Sequence, residues 1–293
     1  FALALLRQDG VGRVTAQRLL QRFPTYDGLL ATPREQVLLR LKGAPNAERT
    51  VGILFDQEAF RDEIQQSVDT IDALAGKHIQ VIAEGHPHWP RGMQDLDRPS
   101  RPVVLYTFGS TEVLAETSVA LHARPPIQGS TFESVQLLAR KLIAEGIPIA
   151  CGAETGFDFV LHKLNSSANA RCVMVAHCGL ARVDNQARPS AAAAVRAGGV
   201  LISPFAPTHG PFDHDDAERV QLQTAIAGPS VFCDPREHTP EVHALEWAIE
   251  AKRPVFGIAG ESEDDAHPLP DHVHALERPV DYDWVIAASR VAG

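Results

Sequence analysis

One loop of the chain brings two glycines, a carboxylate and an imidazole close together. In CGAETGFDFVLH, Gly152 and Gly156 open a predicted helix. Asp158 and His162 stand four residues apart on that helix and therefore share one face. Such a pair could orient the imidazole for proton transfer, or it could be a structural pair that pins the loop to the sheet. We favour the structural pair, because no serine or cysteine nucleophile has a fixed relation to it.

A second glycine turn lies near the start of the chain, in DGVGRVTAQRLLQRF. Gly10 and Gly12 flank one small apolar residue, and a helix-forming run follows them. This is the outline of a helix-hairpin-helix turn, in which glycines let backbone N–H groups at a helix N-terminus approach a phosphate. The alternative is a turn that only connects two packing helices. The flanking positive residues are few, namely Arg7, Arg13 and Arg18.

A third loop, RPPIQGSTFES, follows the apolar run SVALHA. Arg124 can meet a phosphate, Gly129 allows a close approach, and Ser130 or Thr131 can cap the next helix. The loop has neither a G-x-G-x-x-G motif nor a Walker lysine, so a dinucleotide or P-loop site is not indicated. An ordinary strand-to-helix connection is the alternative interpretation.

A fourth segment, HGPFDHDDAERVQLQTAIAG, clusters His209, Asp213, His214, Asp215 and Asp216. Imidazoles and carboxylates suit several divalent ions, but this spacing matches no known metal site. We interpret the segment as a solvated acidic loop that caps a helix through Asp215 or Asp216. The tail segment DDAHPLPDHVHALER is interpreted in the same way, so we predict neither a metal nor a cofactor.

Composition limits the class of protein. The chain has 293 residues, of which 44% are hydrophobic and 22% are charged, as is usual for globular proteins. The formal net charge of −10 argues against a generally basic nucleic-acid-binding surface, although it permits a local basic groove.

The same features indicate a cytoplasmic protein with no membrane association. No apolar run reaches the roughly 18 residues that a membrane span needs. The four cysteines form no C-x-x-C pair, and we predict buried thiols rather than disulfides or zinc ligands at Cys151, Cys172, Cys178 and Cys233.

These candidate residues need a framework that positions them. Residues 1–74 show apolar residues at helical spacing and predict a small all-helical domain of the helix-hairpin-helix or SAM-like type. Residues 75–293 alternate short apolar runs with amphipathic helices, which predicts a doubly wound, Rossmann-like, mostly parallel α/β sheet with a short C-terminal tail. The predicted strands are HIQVIA, PVVLYTF, SVALHA, IPIAC, RCVMVA, GVLIS, SVFCD and PVFGIA.

Ligands of such sheets bind outside the carboxyl ends of the strands. We expect the loops after SVALHA and IPIAC to be neighbours at the switch point of the sheet. Arg124, Gly129, Gly152 and Gly156 should then converge there.

The order of these motifs resembles the DprA/Smf family of DNA-processing proteins. Trp89 and Pro90 form an aromatic–proline pair before PVVLYTFG, which is similar to the family's P-x-x-L-Y-x-x-G strand. HAR resembles the G-S-R strand end, with Arg124 kept and the glycine replaced by His122. CGAETGFDFVLH resembles S-G-x-A-x-G-I-D-x-x-A-H, and GGVLISP and PVFGIAG resemble later strands. The resemblance covers almost the whole chain.

The resemblance implies a non-enzymatic protein that works as a homodimer. It would bind single-stranded DNA in a basic pocket at the loop ends and help to load the RecA recombinase during natural transformation. The DNA-binding residues that the resemblance implies at the loop ends are Arg124, Gly129, Ser130, Gly152, Gly156 and Arg219. The hairpin adds Gly10 and Gly12.

The chain departs from this family at its arginine-rich signature. The R-N-R positions of F-x-x-R-N-R-I-I-A-x-L-S are occupied by Leu222, Gln223 and Thr224, with Arg219 one turn earlier as a partial substitute. Neutral side chains do not replace the charge-assisted contacts of arginines.

Three interpretations of this departure remain open. In one, the DNA site has moved towards Arg124, Arg182, Arg188 and the hairpin. In another, the chain is a nucleotide-binding sensor or a phosphoribohydrolase-like enzyme. In the third, it is a protein-interaction module that has lost the DNA pocket.

Overall fold

The computed structural model describes residues 1–123, 127, 129–260, 269–270 and 273–291. This part of the chain divides into two compact units. The first consists of Phe1–His86 and Leu96–Leu105, and the second of Pro87–Asp95 and the chain from Tyr106 onward. Compactness does not by itself define folding domains, so the division into 1–74 and 75–293 stays a prediction.

The first unit is mainly helical, as the apolar spacing predicts. Tyr26 packs against Phe60 with ring centroids 4.8 Å apart, and its hydroxyl donates to the carbonyl of Leu54 at 2.8 Å. The two rings therefore pack in the core while the buried hydroxyl of Tyr26 keeps a hydrogen-bond acceptor. The helices are α1 (Ala2–Leu6), α2 (Arg13–Arg22), α3 (Tyr26–Leu30), α4 (Arg34–Arg40), α5 (Ala47–Phe55) and α6 (Gln57–Ala75).

Within the described residues, nine strands form one mixed sheet. They are β1 (Ile79–Ala83), β2 (Val104–Gly109), β3 (Val119–Ala123), β4 (Ile149–Gly152), β5 (Cys172–Val175), β6 (Val200–Ser203), β7 (Ser230–Cys233), β8 (Val255–Ile258) and β9 (His274–Ala275). The remaining helices are α7 (Gly129–Ala144), α8 (Phe157–Ser167), α9 (Arg188–Arg196), α10 (Asp215–Ile226), α11 (Pro240–Glu250) and α12 (Tyr282–Val291).

The strand order is β1-β2-β6-β5-β4-β3-β7-β8-β9. β2 runs antiparallel to β6, and every pair from β6 to β9 is parallel. All residues of β4 to β8 are buried, because helices cover both faces of the sheet. The predicted Rossmann-like α/β class is confirmed.

The eight predicted strands correspond to β1–β8. β9 was missed because it has only two residues, both exposed, and therefore no apolar pattern. β3 and β4 are neighbours as expected. The strand order reverses between β3 and β7, however, so the prediction that the switch point lies between the loops after β3 and β4 is wrong.

The four cysteines are free and buried, as the sequence predicts. Burial raises the pKa of the Cys172 thiol to about 12 and that of Cys178 to about 11, so both stay protonated at neutral pH. Across the described ranges, no helix is both long and apolar enough to cross a bilayer.

Candidate functional site at the carboxyl edge of the sheet

A cavity of about 260 Å³ opens outside the carboxyl ends of β3 and β4. We call it the carboxyl-edge pocket. Its polar wall contains one arginine and four carboxylates: Arg219, Glu154, Asp158, Asp216 and Glu241. The described wall of the pocket is therefore acidic rather than basic.

Gly152 ends β4, and a larger residue does not fit there. A Cβ atom at this position would lie 2.2 Å from Oδ2 of Asp158 and 3.0 Å from Nη1 of Arg219. Gly156, the residue before α8, has a φ of +78°, which favours glycine. The first glycine thus makes room for an internal carboxylate and the second for a sharp entry into the helix.

Asp158 and His162 both hold the backbone of Gly152. The Asp158 carboxylate accepts hydrogen bonds from the N–H groups of Gly152 at 3.1 Å and Glu154 at 3.3 Å. His162 is fully buried, and its Nε2 donates to the Gly152 carbonyl at 3.0 Å, while Nδ1 lies 3.1 Å from the hydroxyl of Ser190. The two side chains thus bind the same residue rather than each other.

Burial changes the protonation of this pair in opposite directions. It raises the pKa of Asp158 to about 7, against the opposing effect of the Arg219 guanidinium. It lowers the pKa of His162, so the imidazole is neutral near pH 7.

Arg219 is enclosed by carboxylates. Its Nη2 lies 2.7 Å from Asp216 and 4.0 Å from Glu241, and its Nε lies 3.6 Å from Glu154. The side chain is only 9% exposed. Burial alone would lower the pKa of Arg219, but the carboxylates of Asp216, Glu154 and Asp158 raise it above its ordinary value. The single described cation of the pocket is therefore already neutralised by the protein.

Two of the three residues at the R-N-R positions, Gln223 and Thr224, connect α10 to the sheet through neutral hydrogen bonds. Nε2 of Gln223 donates to the carbonyls of Leu121 at 3.0 Å and Ala150 at 3.1 Å, which ties α10 to β3 and β4. The Thr224 hydroxyl lies 3.0 Å from Nε2 of His122. The sequence showed the loss of arginines here, but not this structural role, because the carbonyl acceptors lie far away along the chain.

His122 is stacked on Phe232, with ring centroids 4.6 Å apart. It is 3% exposed, and burial lowers its pKa to about 3. The residue that replaces the family glycine is therefore a neutral core side chain.

The other predicted DNA-binding residues at this edge of the sheet do not line the pocket together. Arg124 lies outside the described residues. Gly129 begins α7 with a φ of +58°, and Ser130 follows it; both are exposed, and neither lines the pocket. Gly152 and Gly156 bound the loop that supplies Glu154.

The predicted hairpin forms a separate candidate site in the first unit. Gly10 has a φ of +81°, and Gly12 is the N-cap of α2 without a side-chain capping bond. A Cβ on Gly12 would have no atom within 4 Å. A depression of about 590 Å³ is lined by Gly10, Gly12, Arg13, Val14, Thr15, Pro45 and Pro99.

The histidine and aspartate cluster differs from its prediction. Asp215 is 1% exposed, accepts from the N–H of Phe212 at 3.0 Å and binds Nε2 of His209 at 3.1 Å. The predicted capping of the helix by Asp215 or Asp216 is therefore wrong, because His214 holds the N-cap position and the Asp215 carboxylate is buried. Asp213 and His214 are exposed, in agreement with a solvated loop. Among the residues that the structure describes, no histidine, cysteine or acidic group is arranged to hold a metal.

Together, the fold and the pocket define a Rossmann-like α/β protein whose candidate ligand site lies at the loop ends of parallel strands. The sequence profile of the DNA recombination-mediator protein A family matches residues 80–271. The chain therefore belongs to the DprA family, as the motif order indicated. No curated protein matches it significantly.

Two solved structures share the fold. DNA processing protein A (DprA) from Streptococcus pneumoniae has a TM-score of 0.64 and 16% identity, covering 94% of this chain and 98% of that chain. DNA processing protein A from Helicobacter pylori, whose structure was described for its unique single-stranded DNA binding mode, has a TM-score of 0.61 and 15% identity. That match covers 71% of this chain and 96% of the other.

Proposed function

We propose that this chain is a single-stranded-DNA-binding DNA-processing protein that acts without a chemical step, as a homodimer, and assists RecA loading in recombination. The observation that carries the proposal is the family match over residues 80–271, which includes the whole carboxyl-edge pocket. The Helicobacter pylori relative, described for its single-stranded DNA binding mode, is in keeping with this proposal.

The proposed DNA contacts are the backbone groups and cations at two turns. They are Arg124, Gly129, Ser130, Gly152, Gly156 and Arg219 at the sheet edge, and Gly10 and Gly12 at the hairpin. Asp216, Glu154 and Glu241 compete with a phosphate for Arg219. We therefore expect DNA affinity at this pocket to be limited by its own carboxylates.

This expectation gives a direct test of the pocket. Removing the negative charge of Glu241, which is 6% exposed, leaves Arg219 less neutralised. Glu241→Gln should tighten the binding of labelled single-stranded DNA and steepen its salt dependence, by up to about one phosphate contact. Fluorescence anisotropy over a series of salt concentrations measures both quantities.

Glu246→Gln is the matched control, because Glu246 is an exposed carboxylate on the same helix. It makes the same change in net charge and should leave the affinity nearly unchanged. If neither the unsubstituted protein nor Glu241→Gln binds single-stranded DNA at low salt, the proposal is wrong.

Three further assays test the loading role and the two alternative functions. Faster assembly of RecA filaments on single-stranded DNA in the presence of the protein supports the loading role, and an unchanged rate contradicts it. Hydrolysis of a nucleotide by the unsubstituted protein, lost in His162→Ala, would instead favour the phosphoribohydrolase-like alternative. Stable capture of a protein partner without any DNA binding would favour the interaction module.

A further inference from the structure

The loop after β6 carries four aromatic rings that run from the core to the surface. Phe205 is buried and stacks on His209, with centroids 4.5 Å apart and planes 4° apart. His209 meets Phe212 edge to face at 5.2 Å, and Phe212 lies parallel to His214 at 5.8 Å. We call these four residues the aromatic platform. Its outer members are open to solvent, because Phe212 is 55% exposed and the His214 side chain 81%.

A buried carboxylate holds the platform in place. Asp215 binds Nε2 of His209 through both oxygens at 3.1 Å, accepts from the N–H of Phe212, and lies 3.3 Å from Nε2 of His214. Gly210 allows this approach, since a Cβ there would lie 2.7 Å from Oδ2 of Asp215. The exposed ring of Phe212 is thus preorganised rather than a loose side chain on a loop.

Two arginines stand beside the platform. The loops after β5 and β6 are joined by backbone bonds, such as the one from Gly179 N–H to the His209 carbonyl at 2.9 Å. Arg182 donates through Nε to the carbonyl of Thr208 at 3.2 Å, and Arg188 donates to backbone carbonyls as well. Both are exposed, and within the described ranges neither has an ion-pair partner. Their charges, unlike that of Arg219, remain available to an anion.

We propose that the aromatic platform is a base-stacking site for single-stranded nucleic acid, with Arg182 and Arg188 contacting the phosphates. Every base offers a π-face to an exposed ring, and a positive neighbour attracts the backbone. The inference rests on the proposed function and adds a contact surface to it. Asp213, which is exposed next to Phe212, offsets part of the arginine charge, so the platform binds mainly through the bases.

The platform also adjoins the carboxyl-edge pocket. Asp216 lines the pocket, and Asp215, the preceding residue, holds the platform. His177 follows β5 and lies 3.2 Å from Glu154 of the pocket wall. A strand bound at the pocket therefore has the platform as the neighbouring surface along the same edge of the sheet.

The test compares Phe212→Leu with Phe212→Trp, because leucine keeps an apolar side chain but removes the planar face. The probes are labelled oligo-dT of about 20 nucleotides and an abasic strand of the same length and charge. We expect Phe212→Leu to bind oligo-dT about tenfold more weakly, at an unchanged salt slope, and Phe212→Trp to retain affinity. The abasic strand should not distinguish the variants. Arg182→Ala should lower the salt slope by about one for both probes.

Two additional variants keep the test decisive. His214→Ala changes an exposed side chain and should weaken oligo-dT binding in the same direction, even if Phe212→Leu fails to fold. Leu137→Ala, at a 51% exposed position of α7, is the control and should change nothing.

The outcomes separate the two proposals. If the unsubstituted protein binds oligo-dT and the Phe212 and His214 variants bind it equally well, the platform is not a DNA contact and the proposed function stands. If Phe212→Leu weakens the abasic strand as much as oligo-dT, stacking is wrong. If the unsubstituted protein binds neither probe, the proposed function fails and the platform proposal fails with it.

Discussion

The carboxyl-edge pocket and the hairpin both place glycines before a helix N-terminus, yet they use the backbone differently. At the pocket, the N–H groups of Gly152 and Glu154 already donate to the Asp158 carboxylate. At the hairpin, Gly12 caps α2 without a side-chain bond, and the first turn of that helix contains no acidic residue. A glycine turn is therefore not sufficient for an anion site, because an internal carboxylate can occupy the same donors.

The two regions also differ in how their local charge is balanced. Arg219 is buried with three carboxylates within 4.0 Å, so its charge stabilises the fold and is less available to a ligand. Among the described residues that line the hairpin depression, none is acidic. We infer that loss of a pocket side chain acts mainly on stability, whereas a change at the hairpin acts mainly on binding. Four predictions test this difference.

The largest effect is expected at Arg219. Arg219→Ala removes the buried guanidinium that Glu154, Asp216 and Glu241 share, and it should reduce the free energy of unfolding by about 3–5 kcal/mol. Urea denaturation measures this loss. Arg182→Ala, at an exposed arginine, should cost no more than about 0.5 kcal/mol. A loss below about 1 kcal/mol for Arg219→Ala would mean that the carboxylates are solvated and that the comparison is wrong.

His162 should have the next largest effect. His162→Ala removes a fully buried ring that binds the Gly152 carbonyl, and it should cost about 2–3 kcal/mol of stability. Thermal or urea unfolding measures the cost. Lys163→Ala, at the exposed neighbouring position, is the control and should cost less than about 1 kcal/mol. Equal stability of the two variants would show that the imidazole does not hold the loop.

The dependence of stability on pH tests the burial of His122, which lines the pocket. Because burial lowers the pKa of His122 to about 3, this imidazole becomes protonated more readily in the unfolded chain than in the folded one. Its contribution to stability is complete above the unfolded pKa of about 6.5 and is lost as the pH falls, by about 1.4 kcal/mol per pH unit.

Replacing this imidazole tests the effect. Relative to His122→Asn, the unsubstituted protein should lose about 2 kcal/mol of stability between pH 6.5 and pH 5. Urea denaturation at both pH values gives the difference. Parallel pH profiles for the two proteins would place His122 in contact with water.

The smallest change in stability is expected at the hairpin. Valine at Gly12 has space for its Cβ, so Gly12→Val should cost no more than about 1 kcal/mol. If the amides at this turn bind a phosphate, the affinity for single-stranded DNA should fall about three- to tenfold, which corresponds to one lost hydrogen bond. Anisotropy titration measures the affinity, with Gly76→Val in the same unit as the control. An unchanged affinity would leave the hairpin as a turn only.

Much of the fold could be predicted because the signals are local. Short, mostly apolar runs predicted β2 to β8, since strands buried on both faces need apolar side chains at most positions. The helices of the first unit followed from helical spacing of leucine and valine. β9 could not be predicted, because two exposed residues carry no pattern.

The candidate site was predictable only in its backbone. Gly152, Gly156 and Asp158 were identified as one loop, and they do form one. The burial and hydrogen bonds of Asp215 were not predictable, because His209 and Phe212 contact it only once their loop has folded.

The sequence by itself determined the succession of strands and helices along the chain, the family, and the places where the chain turns. Each of these depends on residues that are close together in the sequence. Only the tertiary structure decided the charge of the pocket. Glu154 follows β4, Asp216 lies on α10 and Glu241 on α11, and these three carboxylates meet Arg219 only when the helices pack on the sheet. Coulomb energy depends on distance in space and on burial, and neither is visible along the chain.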